Sequence, residues 1–171
     1  IIKQLHLVNP EIFVASFDRP NLSIAVKLDV KPKQRTDEII TFIQNRTQET
    51  GIIYCLSRNS CDKLSETLQL NGINAASYHA GLSADERQRV QEGLIQDTTQ
   101  VVCATIAFGM CIDKSNVRYV IHFNVPKSIE GYYQEIGRAG RDGLASDTLM
   151  YFGYSDLKTL RSFATDSNQS Q

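Results

Sequence analysis

No apolar run in the sequence approaches the roughly 18 residues that a membrane-spanning helix needs, and no segment resembles a secretion signal. The four cysteines lack the close CxxC spacing of zinc sites, and Cys55 and Cys103 fall inside apolar, strand-like runs. These absences predict a soluble intracellular protein with no membrane partner, in the bacterial cytoplasm or the eukaryotic nucleus. They also predict reduced, mainly buried cysteines that bind no metal.

An excess of basic charge is missing as well. The formal net charge of −1 argues against a domain that holds nucleic acid through bulk charge, so any contact with a phosphate must be local. Basic side chains do stand beside turn or glycine signals, where backbone amides can face the same anion: Arg58, Lys114, Lys127, Arg138 and Arg141.

Two parts of a nucleotide-hydrolysing site are absent from the sequence. There is no G-x-x-x-x-G-K-[ST] loop to cradle phosphates, and no acidic box follows a strand to bind magnesium. Phosphoryl transfer needs both the cradle and the metal. We therefore expect that this chain alone does not turn over ATP.

What is present is the pattern of one α/β domain. The 171 residues, 42% of them apolar, suit a single globular unit, which we predict to be a monomer over residues 1–164 with a polar tail or linker at 165–171. Short β-rich runs alternate with helical spacing, which predicts a mainly parallel sheet of five or six strands. The predicted strands cover about 51–56, 75–78, 100–104, 118–123 and 148–152, and the predicted helices about 37–46, 59–70, 84–95 and 128–138.

Helix boundaries are marked by specific residues. Ser83 and Glu86 form a capping box, and Gly72 gives a left-handed stop after the preceding helix. In open α/β sheets the ligand-facing loops lie at the carboxyl ends of the strands. Here these loops are expected at residues 57–58, 79–81, 105–113 and 124–128.

The segment 134–143, QEIGRAGRDG, carries the sharpest chemical signal. Arg138 and Arg141 are separated by two residues in a glycine-rich stretch, so a partner can approach both guanidinium groups closely. A planar fork of donors suits an oxyanion that gains charge in a transition state, such as a transferring phosphoryl group. A solvated basic helix end is the alternative for a lone Arg-x-x-Arg, but the full string disfavours it.

These ten residues resemble motif VI of superfamily 2 helicases in its RecQ form. Residues 105–114 are similar to motif V of that family and residues 54–58 to motif IV, while 78–82 and 17–22 resemble further RecQ signatures. The order and spacing also match. The resemblance implies a RecA-like, three-layer α/β domain, the second motor half of an ATP-dependent DNA helicase that moves 3′ to 5′. Its ATP and Mg²⁺ would be held mainly by an N-terminal RecA-like partner half, and its substrate would be single-stranded and unwinding duplex DNA.

The same resemblance implies roles for individual residues. Arg141 would be the arginine finger and Arg138 a second phosphate contact. Gln134 and Gly137 would support this cluster, and Asp113 would approach the nucleotide ribose or couple the ATP cleft to the DNA groove. Cys111 departs from the pattern, because motif V ordinarily has a second glycine there.

A second group is predicted to contact the DNA strand. Ser57, Arg58 and Thr105 suit sequence-independent contacts with phosphates, although Thr105 is equally a candidate strand-end cap. His79 and Gly81 join the group through the resemblance, while a hydrogen-bonded core-edge histidine is the commoner fate of a lone His. Lys127 either reaches a phosphate or is solvated in its loop.

Three aromatic side chains near these segments need separate interpretations. His122 lies in an apolar strand and is predicted to be structural. One of Tyr132 and Tyr133 is expected in the core because of their helical spacing, and stacking on a base is the alternative.

Two other functions compete with the DNA helicase. The corresponding half of a DEAD-box RNA helicase has the same fold, but motif VI of that family normally begins with His where this chain has Gln134. A catalytically silent module that binds nucleic acid or protein is favoured only by Cys111, and the intact Arg138 and Arg141 oppose it.

Overall fold

The computed structural model describes residues 18–110, 113–154 and 156, together with the single positions 8 and 11. Several sequence predictions concern positions outside these residues: the first signature residue Phe17, the departure at Cys111, and the polar tail at 165–171. The elements follow in the order β1 (Leu22–Leu28), α1 (Pro32–Gln44), β2 (Thr50–Tyr54), α2 (Arg58–Leu70), β3 (Ala75–Tyr78), α3 (Ala84–Ile95), β4 (Val101–Ala104), a 3-10 helix (Ile106–Met110), β5 (Val117–His122), α4 (Ile129–Ile136) and β6 (Ser146–Phe152).

The six strands form one sheet in the order β1-β6-β5-β2-β4-β3, and every pairing between neighbours is parallel. This confirms the mainly parallel α/β sheet. The central strands β2 and β4 are buried along their whole length, as expected where helices cover both faces.

Two apolar clusters lie on opposite faces of the sheet, which gives the predicted three layers. One cluster packs α1 and α2 against the sheet and includes Ile39, Leu64 and Leu68. The other contains Leu94 of α3 and Phe108 of the 3-10 helix. Three cysteines, Cys55, Cys61 and Cys103, are buried as predicted and are free thiols.

The predicted helix boundaries are confirmed where side chains set them. Ser83 accepts a hydrogen bond from the Glu86 amide, and the Glu86 carboxylate accepts from the Ser83 amide, so the capping box starts α3 at Ala84. Gly72 adopts a φ of +78° after α2, as its left-handed stop requires.

Two predictions about the first third of the domain were wrong. Helix α1 begins at Pro32 and not near Asp37, because proline at the first helical position fits its fixed φ and needs no amide partner. Strand β1 was missed, and it is an edge strand whose side chains are mostly exposed.

No helix within the described residues is both long enough and apolar enough to cross a membrane.

Candidate functional site

The predicted arginines lie on a turn that follows α4, residues 137–143, which we call the arginine turn. Gly140 and Gly143 have φ values of +57° and +81°, a backbone conformation that favours glycine. The Gly140 amide donates to the Val117 carbonyl oxygen at 2.9 Å. Because Val117 is the first residue of β5, the arginine turn lies at the amino-terminal end of that strand.

Arg141 and Asp113 come together at this end of the sheet. The Nη1 atom of Arg141 is 3.6 Å from Oδ1 of Asp113, and the side chains are 37% and 103% exposed. Nε of Arg141 also donates to the Gly137 carbonyl oxygen at 3.4 Å. Gln134 is exposed on α4. The structure thus places Asp113, Gly137 and Arg141 side by side, with an accessible guanidinium.

Arg138 occupies a different environment from Arg141. It is half-buried, and its charge acts on the hydroxyl of Tyr54 at the end of β2. Burial raises the pKa of Tyr54 well above its usual value, and the positive charge of Arg138 partly opposes that shift. The two segments that resemble motifs IV and VI are therefore in contact through Tyr54 and Arg138.

The arginine turn is held by side chains from two distant parts of the chain. Nη2 of Arg19 donates to the carbonyl oxygens of Ala139 and Gly140, both at 2.9 Å. Arg118 contacts both carboxylate oxygens of Asp142, at 2.6 and 2.7 Å. This contact with Arg118 is the main cause that lowers the pKa of Asp142. The turn is thus fixed from two sides.

A second surface lies at the opposite, carboxyl end of the sheet. Ser57 caps α2 by accepting from the Ser60 amide at 3.1 Å, and Arg58 is exposed as the first residue of that helix. A β-carbon built on Gly81 would lie 3.1 Å from Nδ1 of His79 and 3.2 Å from an Arg58 guanidinium nitrogen. The structure therefore brings Ser57, Arg58, His79 and Gly81 together.

Both ring nitrogens of His79 have protein partners. The Gly81 amide donates to Nδ1 at 3.1 Å, so Nδ1 is unprotonated and Nε2 carries the proton toward Oδ1 of Asp62, 3.0 Å away. Burial raises the pKa of Asp62, but hydrogen bonds from Ser77 and His79 outweigh it and leave that pKa lowered. His79 itself is only 6% exposed, so it shapes the turn that carries Gly81.

Thr105 and Lys127 line one cavity between the ends of β2, β4 and β5. Its inner wall contains a buried pair that the sequence interpretation did not include, in which Nε2 of His122 lies 2.7 Å from Oε2 of Glu135. The His122 ring stacks on Tyr54, with centroids 5.4 Å apart. His122 is thus buried, as predicted, and its partner Glu135 lies on α4, 13 residues later in the chain.

The two tyrosines of α4 differ in burial, although neither belongs to the two apolar clusters. Tyr132 is half-buried, with its ring centroid 5.0 Å from that of His122. Tyr133 is 45% exposed.

Lys114 does not join either surface. Its ammonium donates to Oδ1 of Asp97 at 2.8 Å, and the residue is only 6% exposed. That hydrogen bond is the main cause that lowers the pKa of Asp97.

A buried polar network supports the loops at the carboxyl end of the sheet. Arg35 donates to the Phe123 carbonyl oxygen at 2.8 Å and to Oδ2 of Asp156 at 3.3 Å. Asn124 donates to the other oxygen of Asp156 and accepts from the Leu56 amide, the residue before Ser57. Arg35 thereby connects the start of α1 with the loop that precedes the DNA-contact candidates.

Comparison with known sequences shows that the chain is similar to helicases. The family described as "Helicase conserved C-terminal domain" matches residues 32–143. The RecQ-like DNA helicase BLM of Xenopus laevis is 51% identical over 163 residues, covering 94% of this chain and 12% of that protein. The ATP-dependent DNA helicase RecQ of Pasteurella multocida is 41% identical over 170 residues, covering 99% of this chain and 26% of that protein.

Among solved structures, a DEAD box protein from the hyperthermophile Methanococcus jannaschii shares the fold. Its TM-score is 0.71 at 24% identity, over 83% of this chain and 39% of the other. This likeness confirms the fold class. The chain spans between 12% and 26% of the length of the two helicases above.

Proposed function

The chain belongs to the family of helicase conserved C-terminal domains, in its RecQ form, and on that basis we propose that it is the second motor domain of an ATP-dependent DNA helicase. In this proposal it moves 3′ to 5′ along one strand together with an N-terminal RecA-like half of the same parent chain. It supplies the arginine finger and part of the track for single-stranded DNA.

The observation that carries the proposal is the exposed guanidinium of Arg141 on a turn that two other arginines fix. A preorganised planar donor at a cleft suits the charge that develops on a transferring phosphoryl group. Arg138, half-buried beside Tyr54, would be the second phosphate contact, with Gln134 and Gly137 supporting the cluster. Asp113, next to Arg141, would approach the nucleotide ribose or couple the ATP cleft to the DNA groove.

The proposed use of ATP is supported by the relatives, one of which is named an ATP-dependent DNA helicase, whereas Mg²⁺ is proposed only from the resemblance to that family. Arg141 and Arg138 fit the triphosphate as guanidinium donors, whereas the phosphate cradle and the metal ligands would come from the partner half. In this proposal the chain alone does not hydrolyse ATP, and its own arginines stabilise the charge that develops on the nucleotide's phosphates during hydrolysis.

The carboxyl-end surface is proposed to grip the DNA strand. Ser57, Arg58 and Gly81 are exposed there, and hydroxyl, guanidinium and amide donors suit phosphates of any sequence. Thr105 and Lys127 line the adjoining cavity and would extend this track. A half of an RNA helicase remains a second candidate because the fold is shared, but the relatives named as DNA helicases favour DNA.

We expect Arg58→Ala to weaken binding of single-stranded DNA to the parent helicase by about 5- to 10-fold at low salt, because an exposed phosphate contact is lost. The variant should also show a smaller slope of log affinity against log salt, by about one unit. Fluorescence anisotropy with labelled oligonucleotides at several salt concentrations measures both.

Lys63→Ala provides the matched control, since Lys63 is exposed on the second turn of the same helix. Its affinity and salt slope should stay at the wild-type values. Equal effects of the two substitutions would contradict a local phosphate contact at Arg58.

His79 is proposed to act on DNA binding through the backbone of Gly81. His79→Leu removes both ring hydrogen bonds, so the Gly81 amide loses the acceptor that orients its backbone, and DNA binding should weaken by about 10-fold, or about 1.4 kcal/mol of binding free energy. His79→Asn keeps an acceptor near the Nδ1 position and should retain most of the affinity. If Asn and Leu weaken binding equally, the hydrogen bond from the Gly81 amide is not what matters.

A further inference from the structure

We propose that Arg19 and Asn21 are positioning residues that hold the arginine turn in the conformation from which Arg141 acts. The inference rests on the proposed function, because it concerns the same arginine. Both residues act through backbone carbonyl groups of the turn.

Arg19 and Asn21 contact the turn from the segment just before β1, about 120 residues away in the sequence. Nη2 of Arg19 donates to the carbonyl oxygens of Ala139 and Gly140, and Nδ2 of Asn21 donates to those of Gly140 and Leu144 at 2.9 and 3.0 Å. The Gly140 carbonyl therefore receives two side-chain donors. These contacts bracket Arg141 on both sides in the sequence.

The segment that carries these donors is itself anchored to the sheet. The Asn21 carbonyl oxygen accepts from the Ser146 amide at 2.9 Å, and Leu22 opposite Ser146 begins the pairing of β1 with β6. This backbone pairing at the start of β1 thus fixes the position from which the side-chain amide of Asn21 donates. The two donors therefore lie in a short segment that this hydrogen bond connects to the sheet.

The turn needs such external support because of its composition. Three of its seven residues are glycines, which have more conformational freedom to lose than other residues. A β-carbon on Gly140 would lie 2.5 Å from Nδ2 of Asn21, so the side chain of Asn21 packs directly against the glycine. Glycine at position 140 therefore both allows the left-handed backbone and leaves room for the side-chain amide of Asn21.

A change at Asn21 that preserves shape but reverses polarity tests this inference. Asn21→Asp places a carboxylate oxygen where a donor faced the carbonyl oxygens of Gly140 and Leu144. The repulsion should displace the turn and with it Arg141. Because a misplacement of about 1 Å in a reacting group can cost about 10²-fold, we expect kcat for ATP in the full-length parent helicase to fall by about that factor.

The pattern of kinetic effects separates positioning from a general loss of structure. With saturating single-stranded DNA, kcat should fall while KM for ATP and DNA affinity stay within a few-fold, since the turn is proposed to act in the transition state. Arg19→Lys keeps a single nitrogen able to donate to two carbonyls and should retain more activity than Arg19→Met. Equal loss in these two variants would count against the carbonyl contacts of Arg19.

Asn74→Asp is the matched control for Asn21. The Asn74 amide also donates to a backbone carbonyl, that of Thr98, but at the start of the edge strand β3. Both variants should show similar shifts in thermal unfolding, and only Asn21→Asp should lower kcat strongly. If the two variants lose the same small amount of turnover, the inference is wrong.

Combining Asn21→Asp with Arg141→Ala distinguishes this inference from the proposed function. If Asn21 acts through Arg141, Asn21→Asp should add little to the defect of Arg141→Ala in single-turnover assays. If Arg141→Ala lowers kcat strongly but Asn21→Asp does not, the proposed role of Arg141 is supported and the positioning role of Asn21 is wrong. If Arg141→Ala is harmless while Asn21→Asp lowers kcat, the proposed function of Arg141 fails and the inference fails with it.

Discussion

Arg141→Ala in the parent helicase is expected to lower DNA-stimulated ATP turnover by about 10³- to 10⁵-fold, the usual contribution of an arginine finger. In the present structure its guanidinium is 37% exposed and only 3.6 Å from the fully exposed Asp113 carboxylate. An exposed ion pair of this kind contributes little to stability, so Arg141 can leave Asp113 at small cost. The effect should therefore appear in catalysis and not in folding.

Nucleotide affinity should change little in the same variant. A residue that acts only in the transition state lowers kcat and kcat/KM together, whereas uniform binding would raise KM alone. Arg141→Lys should not restore turnover, because a compact ammonium keeps the charge but cannot reproduce a planar fork of donors. Comparing the two variants separates the contribution of guanidinium geometry to turnover from that of positive charge.

The measurement is steady-state ATPase activity with saturating single-stranded DNA, alongside nucleotide affinity measured by titration. Arg89→Ala is a suitable control because Arg89 is exposed on α3, away from the arginine turn, and turnover should stay within a few-fold. If Arg141→Ala also stays within a few-fold of wild type, Arg141 is not the finger. Arg138, half-buried beside Tyr54, would then be the next residue to replace.

Local signals in the sequence predicted the elements that local interactions define. Helix α3 and strand β3 have the predicted limits, and Ser83 supplies the side-chain cap that starts α3. Strand β1 is instead defined by a long-range contact, because it pairs with β6, which lies more than 120 residues further along the chain. Its sequence, LSIAVKL, does alternate apolar and other residues, which is a strand signal that the prediction overlooked, although Ile24, Val26 and Leu28 are 48–67% exposed at this edge of the sheet.

The same distinction applies to the candidate site. The residue types at Arg138 and Arg141 and their spacing are readable from a short string. The partners that orient them come from elsewhere, since Arg19 and Arg118 reach the arginine turn across the fold. Asp62, the partner of His79 Nε2, likewise lies on another element. Only the folded chain shows which hydrogen-bonding groups already have partners.

Arg35→Met is expected to reduce the free energy of unfolding of the chain by about 3–5 kcal/mol, the usual cost of removing one partner from a buried ion pair. Arg35 is 3% exposed, and its guanidinium donates to the carbonyl oxygens of Val30 and Phe123 as well as to Asp156. Methionine keeps the apolar stem, but the Asp156 carboxylate would stay buried without its cation. Since single domains have a total stability of about 5–15 kcal/mol, the loss should be large.

Urea unfolding followed by circular dichroism measures this loss by linear extrapolation. Lys27→Met is the matched control, because Lys27 also forms an ion pair with a residue of α1, Glu38, but its side chain is 47% exposed. An exposed pair contributes about 0–1 kcal/mol, so the control should lie near wild type. Adding Asp156→Leu to Arg35→Met removes the stranded carboxylate and should recover part of the stability, as replacement of both charges by apolar groups often does. A double variant less stable than Arg35→Met would mean that Asp156 stabilises the fold mainly through Asn124 and the Gly153 amide, its other two partners, and not through Arg35.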